Sequence, residues 1–284
     1  MSFSRQCFLF TNVLRVWAQI INNIGTVRSA FSGAQDISNG LKKFELELLS
    51  PATEKVGWEF KEGESYLVGQ LRAQLTLTAG LLGHKSTVEE ALRRFDEYIS
   101  GNDKSAINPS LRRAVFSIAI KERGESAVEA IQNEFLTTSS IDGKEICLRS
   151  LGHVQTPELA KRVLNFIFSD KVAMQDKHSG TLVLAGNSKV RREVWNFVRD
   201  NWDSTIYPTL SGNLVVLERF LRMGLNKFAE EKIADEIAAF FKDKDNRGYD
   251  QGLKVIDDTI RSHAKYQTRD ENVVREWLKA NNYV

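Results

Sequence analysis

The chain has 284 residues, a hydrophobic fraction of 42% and a charged fraction of 27%, values typical of a globular protein that buries a sizeable core. Its formal net charge of +2 gives no global electrostatic reason to expect binding to nucleic acid or to a membrane surface. The two cysteines, Cys7 and Cys147, are too few for a disulfide framework and fit a reducing compartment, so we expect a cytoplasmic protein.

The N-terminal segment has two interpretations. Its first 35 residues contain three arginines but no acidic residue, a composition that mildly resembles a mitochondrial presequence. Alternatively, the first helix of the domain begins at Val13, which makes residues 1–12 an extension of uncertain status and residues 13–284 one domain. That helix would carry a wide apolar band formed by Val13, Val16, Trp17, Ile20, Ile21 and Ile24. We expect the band to be exposed in the isolated chain, where it would promote self-association or the docking of a neighbouring domain.

Helical spacing of apolar residues continues along the chain, and no segment alternates as a strand would. The pattern therefore predicts an all-α protein of antiparallel helix pairs stacked in sequence. Capping boxes predict helix starts at Ser86, Ser126 and Asp142. Thr156 followed by Pro157 predicts a fourth start, and Gly80 and Gly83 are expected to end an apolar helix.

The C-terminal third predicts further helices. One carries Ile233, Ile237, Phe240 and Phe241, the next Leu253, Ile256 and Ile260, and the last buries Val274, Trp277 and Leu278. The segment 243–248 begins like a calcium loop, but Arg247 and Lys254 stand where ligands are needed, so we expect an ordinary interhelical loop. The five tryptophans are interpreted as core residues and Cys147 as a buried, inert thiol.

A set of landmarks in the chain resembles the C-terminal helical domain of the gluzincin zinc aminopeptidases. The landmarks are Gly25-Thr26-Val27-Arg28, Gln70-Leu71-Arg72, Pro109-Ser110-Leu111-Arg112, Leu151-Gly152, Thr156-Pro157-Glu158-Leu159, Ala185-Gly186-Asn187, Trp195-Asn196-Phe197, Asn201-Trp202-Asp203 and Val274-Arg275-Glu276-Trp277-Leu278. The resemblance is nearest to the fungal cytosolic members and extends over about residues 13–284. It implies an irregular HEAT-like α-superhelix with a concave inner face.

The zinc site of that family is not present in the sequence. Its helix carries H-E-x-x-H, whereas none of His84, His153, His178 and His263 is followed by Glu, and no two are four residues apart. We therefore predict no catalytic residue, no metal ligand and no cofactor in this chain, the zinc of the full-length family being bound by a domain that the sequence lacks. The histidines themselves are expected at the surface or at helix ends.

The resemblance implies a detached or truncated C-terminal domain that covers the substrate chamber of an aminopeptidase. Its expected partners are an aminopeptidase catalytic domain and the peptide substrate. A pair of arginines, Arg219 and Arg222, is the candidate site: it shares a helix with Glu218 and could bind a peptide carboxylate, although an ordinary surface ion pair is the alternative. A stand-alone helical-repeat module that binds a protein or peptide is the second interpretation of the whole chain.

Overall fold

The computed structural model describes residues 14–101 and 103–284, and within these ranges the regular structure is helical without strands, which confirms the all-α prediction. The α-helices are α1 Leu14–Ala30, α2 Gln35–Val56, α3 Tyr66–Leu82, α4 Lys85–Ile99, α5 Arg112–Arg123, α6 Glu125–Thr137, α7 Ile141–Leu151, α8 Pro157–Ile167, α9 Lys177–Gly186, α10 Arg191–Asn201, α11 Tyr207–Leu210, α12 Leu214–Leu225, α13 Glu231–Phe241 and α14 Asp250–Ala280. Short 3₁₀ helices lie at Lys104–Ala106, Pro109–Leu111 and Met174–Asp176, and a π-helix at Trp202–Ile206 joins α10 to α11. No helix among the described residues is long and apolar enough to cross a membrane.

The start of α8 is the one predicted from Thr156. The Thr156 hydroxyl accepts a hydrogen bond from the Leu159 amide at 3.3 Å, and Pro157 occupies the first helical position. The predicted end of α3 is also confirmed, because Gly83 follows Leu82 with φ +90°, a conformation that a residue with a side chain rarely adopts.

The three predicted capping boxes are wrong, all by the same amount. Ser86, Ser126 and Asp142 are each the second residue of their helix rather than the cap. The residues that precede the helices are His84, Gly124 and Ser140, and only Ser140 caps through its side chain, its hydroxyl accepting from the Gly143 amide at 3.1 Å. Acidic and hydroxyl side chains are also favoured within a first turn, so their spacing alone does not fix the cap.

The C-terminal region differs from its prediction in two respects. α14 is one continuous helix of 31 residues where two were expected. Leu278 is fully buried as predicted, but Trp277 is 45% exposed and is not a core residue. Of the other tryptophans, Trp17, Trp195 and Trp202 are buried as predicted, and Trp58 is half-buried.

The helices pack as a series. α3, α5, α7, α9, α12 and α14 each contact the next, while α4, α6, α8, α10 and α13 pack against members of that series. The C-terminal half of α14 then contacts α1 and α2, which themselves pack on α3, so the series returns to its starting point. Sequential stacking is compatible with the HEAT-like superhelix implied by the resemblance, and the return contact makes it a closed circuit.

A small hydrophobic cluster closes the circuit. Its buried members are Ala30, Phe31, Ile37, Leu41 and Leu278, and we call it the closure cluster. Polar contacts accompany it: Arg275 donates to Asp36 at 2.6 Å, and the Tyr283 hydroxyl donates to Glu47 at 2.9 Å. The closure cluster is separate from the main core, which runs from α4 to α14.

The apolar band predicted on the first helix is largely covered. Trp17 is 2% exposed and packs with Leu49, Leu71 and Leu75, while Ile20 and Ile21 pack against the same cluster. Val16 is 38% exposed, and Val13 lies outside the described residues. The expectation of a bare docking edge centred on Trp17 is therefore wrong, because α2 and α3 already bury that face.

Candidate functional site

The predicted arginine pair lies on α12 as expected. Arg219 and Arg222 are both exposed, whereas Leu217, Leu221 and Leu225 on the opposite face are buried. Arg222 forms an ion pair with Glu218 at 3.5 Å, and the aliphatic part of Glu218 packs over Gly252 of α14. The pair is accessible to an anionic ligand, but one of its two charges is already shared with a carboxylate.

The histidines do not converge. His84 and His178 lie at helix starts, and His153 lies in the turn after α7, as predicted. The prediction for His263 is wrong, because this residue lies in the middle of α14 and is half-buried. Its Nδ1 donates to the Phe228 carbonyl oxygen at 3.1 Å. Among residues 14–101 and 103–284, no three His, Cys, Asp or Glu side chains lie close enough together to hold a metal ion. These side chains therefore do not fit a catalytic zinc, which needs three protein ligands.

Hydrogen bonds bring a second set of basic side chains together where several helix ends meet. The Asn187 amide donates to the carbonyl oxygens of Gly152 and Val154, at 3.3 and 2.7 Å, on either side of His153. The side-chain carbonyl oxygen of Asn187 accepts a hydrogen bond from the backbone amide of Lys189 at 3.2 Å. The turn after α9 is thus fixed to the turn after α7.

The same region reaches α1 and α2. Arg191 is buried and donates to the Ser29 hydroxyl at 3.0 Å. Arg28, the residue before Ser29, has its Nε 3.2 Å from Oε2 of Glu45. Lys42 lies one helical turn before Glu45 on α2. We refer to Arg28, Lys42, Lys121 and Lys189 as the basic cluster.

The electrostatics show how closely these groups interact. Burial lowers the pKa of the Lys42 ammonium, although this side chain remains exposed to solvent. The positive charges of Lys121, Arg28 and Lys189 lower that pKa further, and only Glu122 opposes them. Lys42 is therefore partly desolvated by surrounding protein even though its side chain reaches solvent.

Neighbouring basic groups respond in the same direction. Burial lowers the pKa of His153 to about 3, with smaller contributions from the charges of Arg113 and Lys121. Burial also lowers the pKa of Arg191 to about 10 and that of Arg113, and the Nε of Arg113 has no hydrogen-bond acceptor within the protein. In all three groups burial is the largest cause of the shift, so these side chains lie partly within the protein.

The sequence did not predict the basic cluster, because its members come from separate elements. One landmark of the resemblance, Arg28, nevertheless belongs to it and pairs with Glu45. Another, Asn187, joins the two turns next to Lys189. A third landmark, Arg72, has a structural role elsewhere. It is buried, donates to both oxygens of Glu64 at 2.6 Å, and holds the turn after α2 through the Gly57 carbonyl oxygen.

Comparison with known proteins agrees with this architecture. Residues 8–262 match the model of the ERAP1-like C-terminal domain family. The chain belongs to that family. It is 32% identical to Aminopeptidase 2, mitochondrial, of Saccharomyces cerevisiae, over 94% of this chain and 28% of the relative. It is 31% identical to the Alanine/arginine aminopeptidase of the same yeast, over 94% and 31%, and 30% identical to Aminopeptidase M1 of Arabidopsis thaliana, over 82% and 26%.

The chain thus spans less than a third of the length of these aminopeptidases. The family resemblance based on the sequence landmarks is confirmed, and the all-helical structure agrees with it. As a member of the ERAP1-like C-terminal domain family, the chain corresponds to a part of such enzymes.

Proposed function

We propose that the chain acts as the C-terminal helical domain of a zinc aminopeptidase, covering the substrate chamber during the trimming of peptide amino termini. The family match over residues 8–262 is the observation that carries this proposal. The all-helical structure, with helices packed in series, is compatible with it. In this arrangement the zinc and the groups that act on the peptide bond belong to the partner domain.

The proposal is tested by reconstitution. The chain is coexpressed with Aminopeptidase 2 of Saccharomyces cerevisiae from which the segment matching this chain has been removed, and the removed segment serves as the positive control. We expect the chain to copurify with the truncated relative and to change its activity on long peptides more than on aminoacyl reporters. Failure to copurify, under conditions in which the relative's own segment does, would reject the proposal.

The purified chain alone is expected to bind no stoichiometric zinc and to leave aminoacyl reporters uncleaved, because catalytic zinc needs three protein ligands and an activated water. Elemental analysis and a chelator-sensitive activity assay test this directly. One tightly held zinc per chain, together with chelator-sensitive cleavage, would contradict it.

We also propose that Arg219 and Arg222 contact the C-terminal carboxylate of the peptide. Both side chains are exposed, and a guanidinium binds a carboxylate through two parallel hydrogen bonds. The test compares each peptide with a version of the same peptide whose C-terminus is amidated. In the reconstituted complex, the double substitution Arg219→Gln and Arg222→Gln should raise KM for the peptide with a free C-terminus and leave KM for its amidated version unchanged. An equal change for both peptides would indicate a structural effect of the surface ion pair with Glu218.

The second candidate is a stand-alone module that binds a protein or peptide. The burial of Trp17 favours it, because α1 presents no wide apolar edge that a catalytic domain must cover. In the reconstitution experiment this candidate predicts that the chain is a stable monomer and does not bind the truncated aminopeptidase. We further propose that the chain is located in the cytoplasm. One relative is named as mitochondrial, so the mitochondrion is the competing location. Fluorescence microscopy of a tagged chain distinguishes the two locations.

A further inference from the structure

A cavity of about 460 Å³ lies between the consecutive helices α13 and α14. Ala238 and Leu253 form its apolar wall, and the buried side chains of Ile237, Phe241 and Ile256 lie beneath them. Sites that bind small molecules usually have volumes of roughly 300–1,000 Å³. The predicted arginine pair of α12 does not line this cavity, so the two are separate places on the surface.

The walls of the cavity are held in place by the core. The Phe241 ring packs edge-on against Trp202, with the ring centroids 4.8 Å apart. The side-chain amide of Asn246, which also lines the cavity, donates to the Phe241 carbonyl oxygen at 2.7 Å. The Tyr249 hydroxyl donates to the Asp245 carbonyl oxygen at 2.9 Å and so fixes the loop between the two helices. The cavity is therefore formed before a ligand arrives, which lowers the free-energy cost of binding.

Two charges of opposite sign lie at the rim of the cavity. Lys242, at the end of α13, and Asp258, on α14, both line it and are exposed. Among the residues that the structure describes, neither side chain forms an ion pair, with the other or with a third residue. A gap therefore separates the two charges, and a ligand that carries both a cationic and an anionic group can bridge it.

Helix stabilisation explains one of these charges but not the other. Lys242 follows the last residue of α13, where a cation offsets the negative end of the helix dipole. Asp258 lies within α14, and the basic residues one turn away from it, Lys254 and Arg261, pair with other aspartates. A carboxylate left free beside an apolar wall is available to a cation from outside the chain.

We propose that this cavity binds a zwitterionic amino acid with an apolar side chain. The carboxylate of the ligand pairs with Lys242, its ammonium with Asp258, and its side chain packs against Ala238 and Leu253. Charge complementarity selects this class, because a ligand with a single charge leaves the opposite charge at the rim without a partner. Trimming of peptide amino termini releases amino acids of this kind; that link rests on the proposed function, whereas the binding concerns this chain alone.

The test titrates the purified chain with L-leucine and follows the amide chemical shifts by NMR. We expect saturable shifts in the residues around the cavity and a dissociation constant of about one millimolar, since a small ligand makes few contacts. Leucinamide lacks the carboxylate, and N-acetylleucine lacks the ammonium. Each should bind about threefold to fivefold more weakly than leucine, through the loss of one exposed ion pair.

Two substitutions assign each charge of the ligand to its partner. Lys242→Gln should weaken the binding of leucine and leave that of leucinamide unchanged, while Asp258→Asn should weaken leucine and leave N-acetylleucine unchanged. Both residues are exposed and unpaired, so both variants should fold, which circular dichroism melting verifies. The matched controls are Lys171→Gln and Asp142→Asn, at exposed positions outside the cavity, and they should bind leucine as the wild type does.

Three results would overturn the inference. The first is the absence of saturable shifts around the cavity, and the second is an equal loss of leucine affinity in the control variants. The third is binding of N-acetylleucinamide, which carries neither charge, as tightly as leucine. That result would assign the cavity to an uncharged apolar segment of a partner protein.

The outcome is independent of reconstitution. If the chain fails to copurify with the truncated aminopeptidase yet binds leucine through Lys242 and Asp258, the proposed function fails and the amino-acid site stands. If it copurifies but does not bind leucine, the reverse holds.

Discussion

Single residues of this chain differ widely in how much stability depends on them, and His153 is a clear case. Its pKa of about 3 in the folded chain lies below the ordinary histidine value of 6.5, because burial disfavours the charged imidazolium. Between these two pH values the unfolded chain binds the proton more readily than the folded chain. The stability that neutral His153 allows is therefore complete above pH 6.5 and decreases as the pH falls toward 3.

We expect His153→Gln to reduce the acid sensitivity of the fold. At pH 5 the wild-type chain should have lost about 2 kcal/mol of unfolding free energy through this histidine, and the variant should not show that loss. Urea unfolding between pH 7.5 and 5 measures it, in a range where carboxylates contribute little. His178→Gln, which alters a histidine at the start of α9, is the control; a similar response in both variants would argue against the assignment.

Two tryptophans make a second comparison at this scale. Trp17→Ala should cost about 3–5 kcal/mol, since the side chain is buried among leucines of α2 and α3. Trp277→Ala should cost only about 1 kcal/mol, because the ring is 45% exposed and its main contacts are the rings of Phe44 and Tyr283. Chemical denaturation of both variants tests the order. Higher solubility without destabilisation in a Trp17 variant would instead indicate an exposed band.

At the scale of elements, close helix contacts depend on glycine. A Cβ added to Gly152, after α7, would lie 2.4 Å from the Cβ of Val183 in α9 and 2.9 Å from the Leu184 amide nitrogen. Gly80 has the same function between α3 and α5, where an added Cβ would meet the Ile118 side chain at 2.2 Å. Both contacts lie in the series of packed helices, so their separation affects the alignment of the whole circuit.

Gly152→Ala should therefore destabilise the chain by about 1–3 kcal/mol, because Val183 and the α9 backbone must move apart. Gly186→Ala is the matched control: no atom lies within 4 Å of its added Cβ, and alanine favours the last turn of α9. We expect that variant to be as stable as the wild type or more stable by about 0.5–1 kcal/mol. Thermal melts of the two variants should move in opposite directions; a shared direction would contradict the packing argument.

The elements also show what the sequence could and could not predict. The apolar spacing of Leu253, Ile256 and Ile260 was sufficient to predict a helix, because burial of one face dictates the period. The start of α6 was not predictable from Ser126, since Gly124 with φ +59° lets α6 follow α5 almost directly. The basic cluster was inaccessible to sequence reasoning for a different reason: Lys42 and Lys189 come from separate elements, and no local pattern shows that the charge of one lowers the pKa of the other.

For the whole molecule, the closure cluster is the contact that joins the two ends of the series. It buries few side chains and is separate from the main core, so it should open at a lower free energy than global unfolding. Arg275 and Tyr283 add exposed polar contacts, which contribute little in water.

Leu278→Ala should open the closure cluster locally, because a fully buried leucine is replaced by a cavity. Hydrogen exchange is expected to accelerate in α1, in the first turns of α2 and in the C-terminal half of α14, while α5 and α7 stay protected. Mass spectrometry of peptic fragments measures this. Uniform acceleration along the chain would mean that the closure cluster and the main core unfold together.

The uninterrupted length of α14 has a geometric consequence. Ile256, in the main core, and Leu278, in the closure cluster, are 22 residues apart, which is about six turns of helix and about 33 Å. The two side chains therefore point within about 40° of each other around the helix axis. The packing of one end of α14 in the main core thus fixes the direction in which Leu278 points at the other end. A single inserted residue between them would rotate Leu278 by about 100° away from α2, whereas an insertion of four residues would nearly restore the phase while lengthening the helix by about 6 Å.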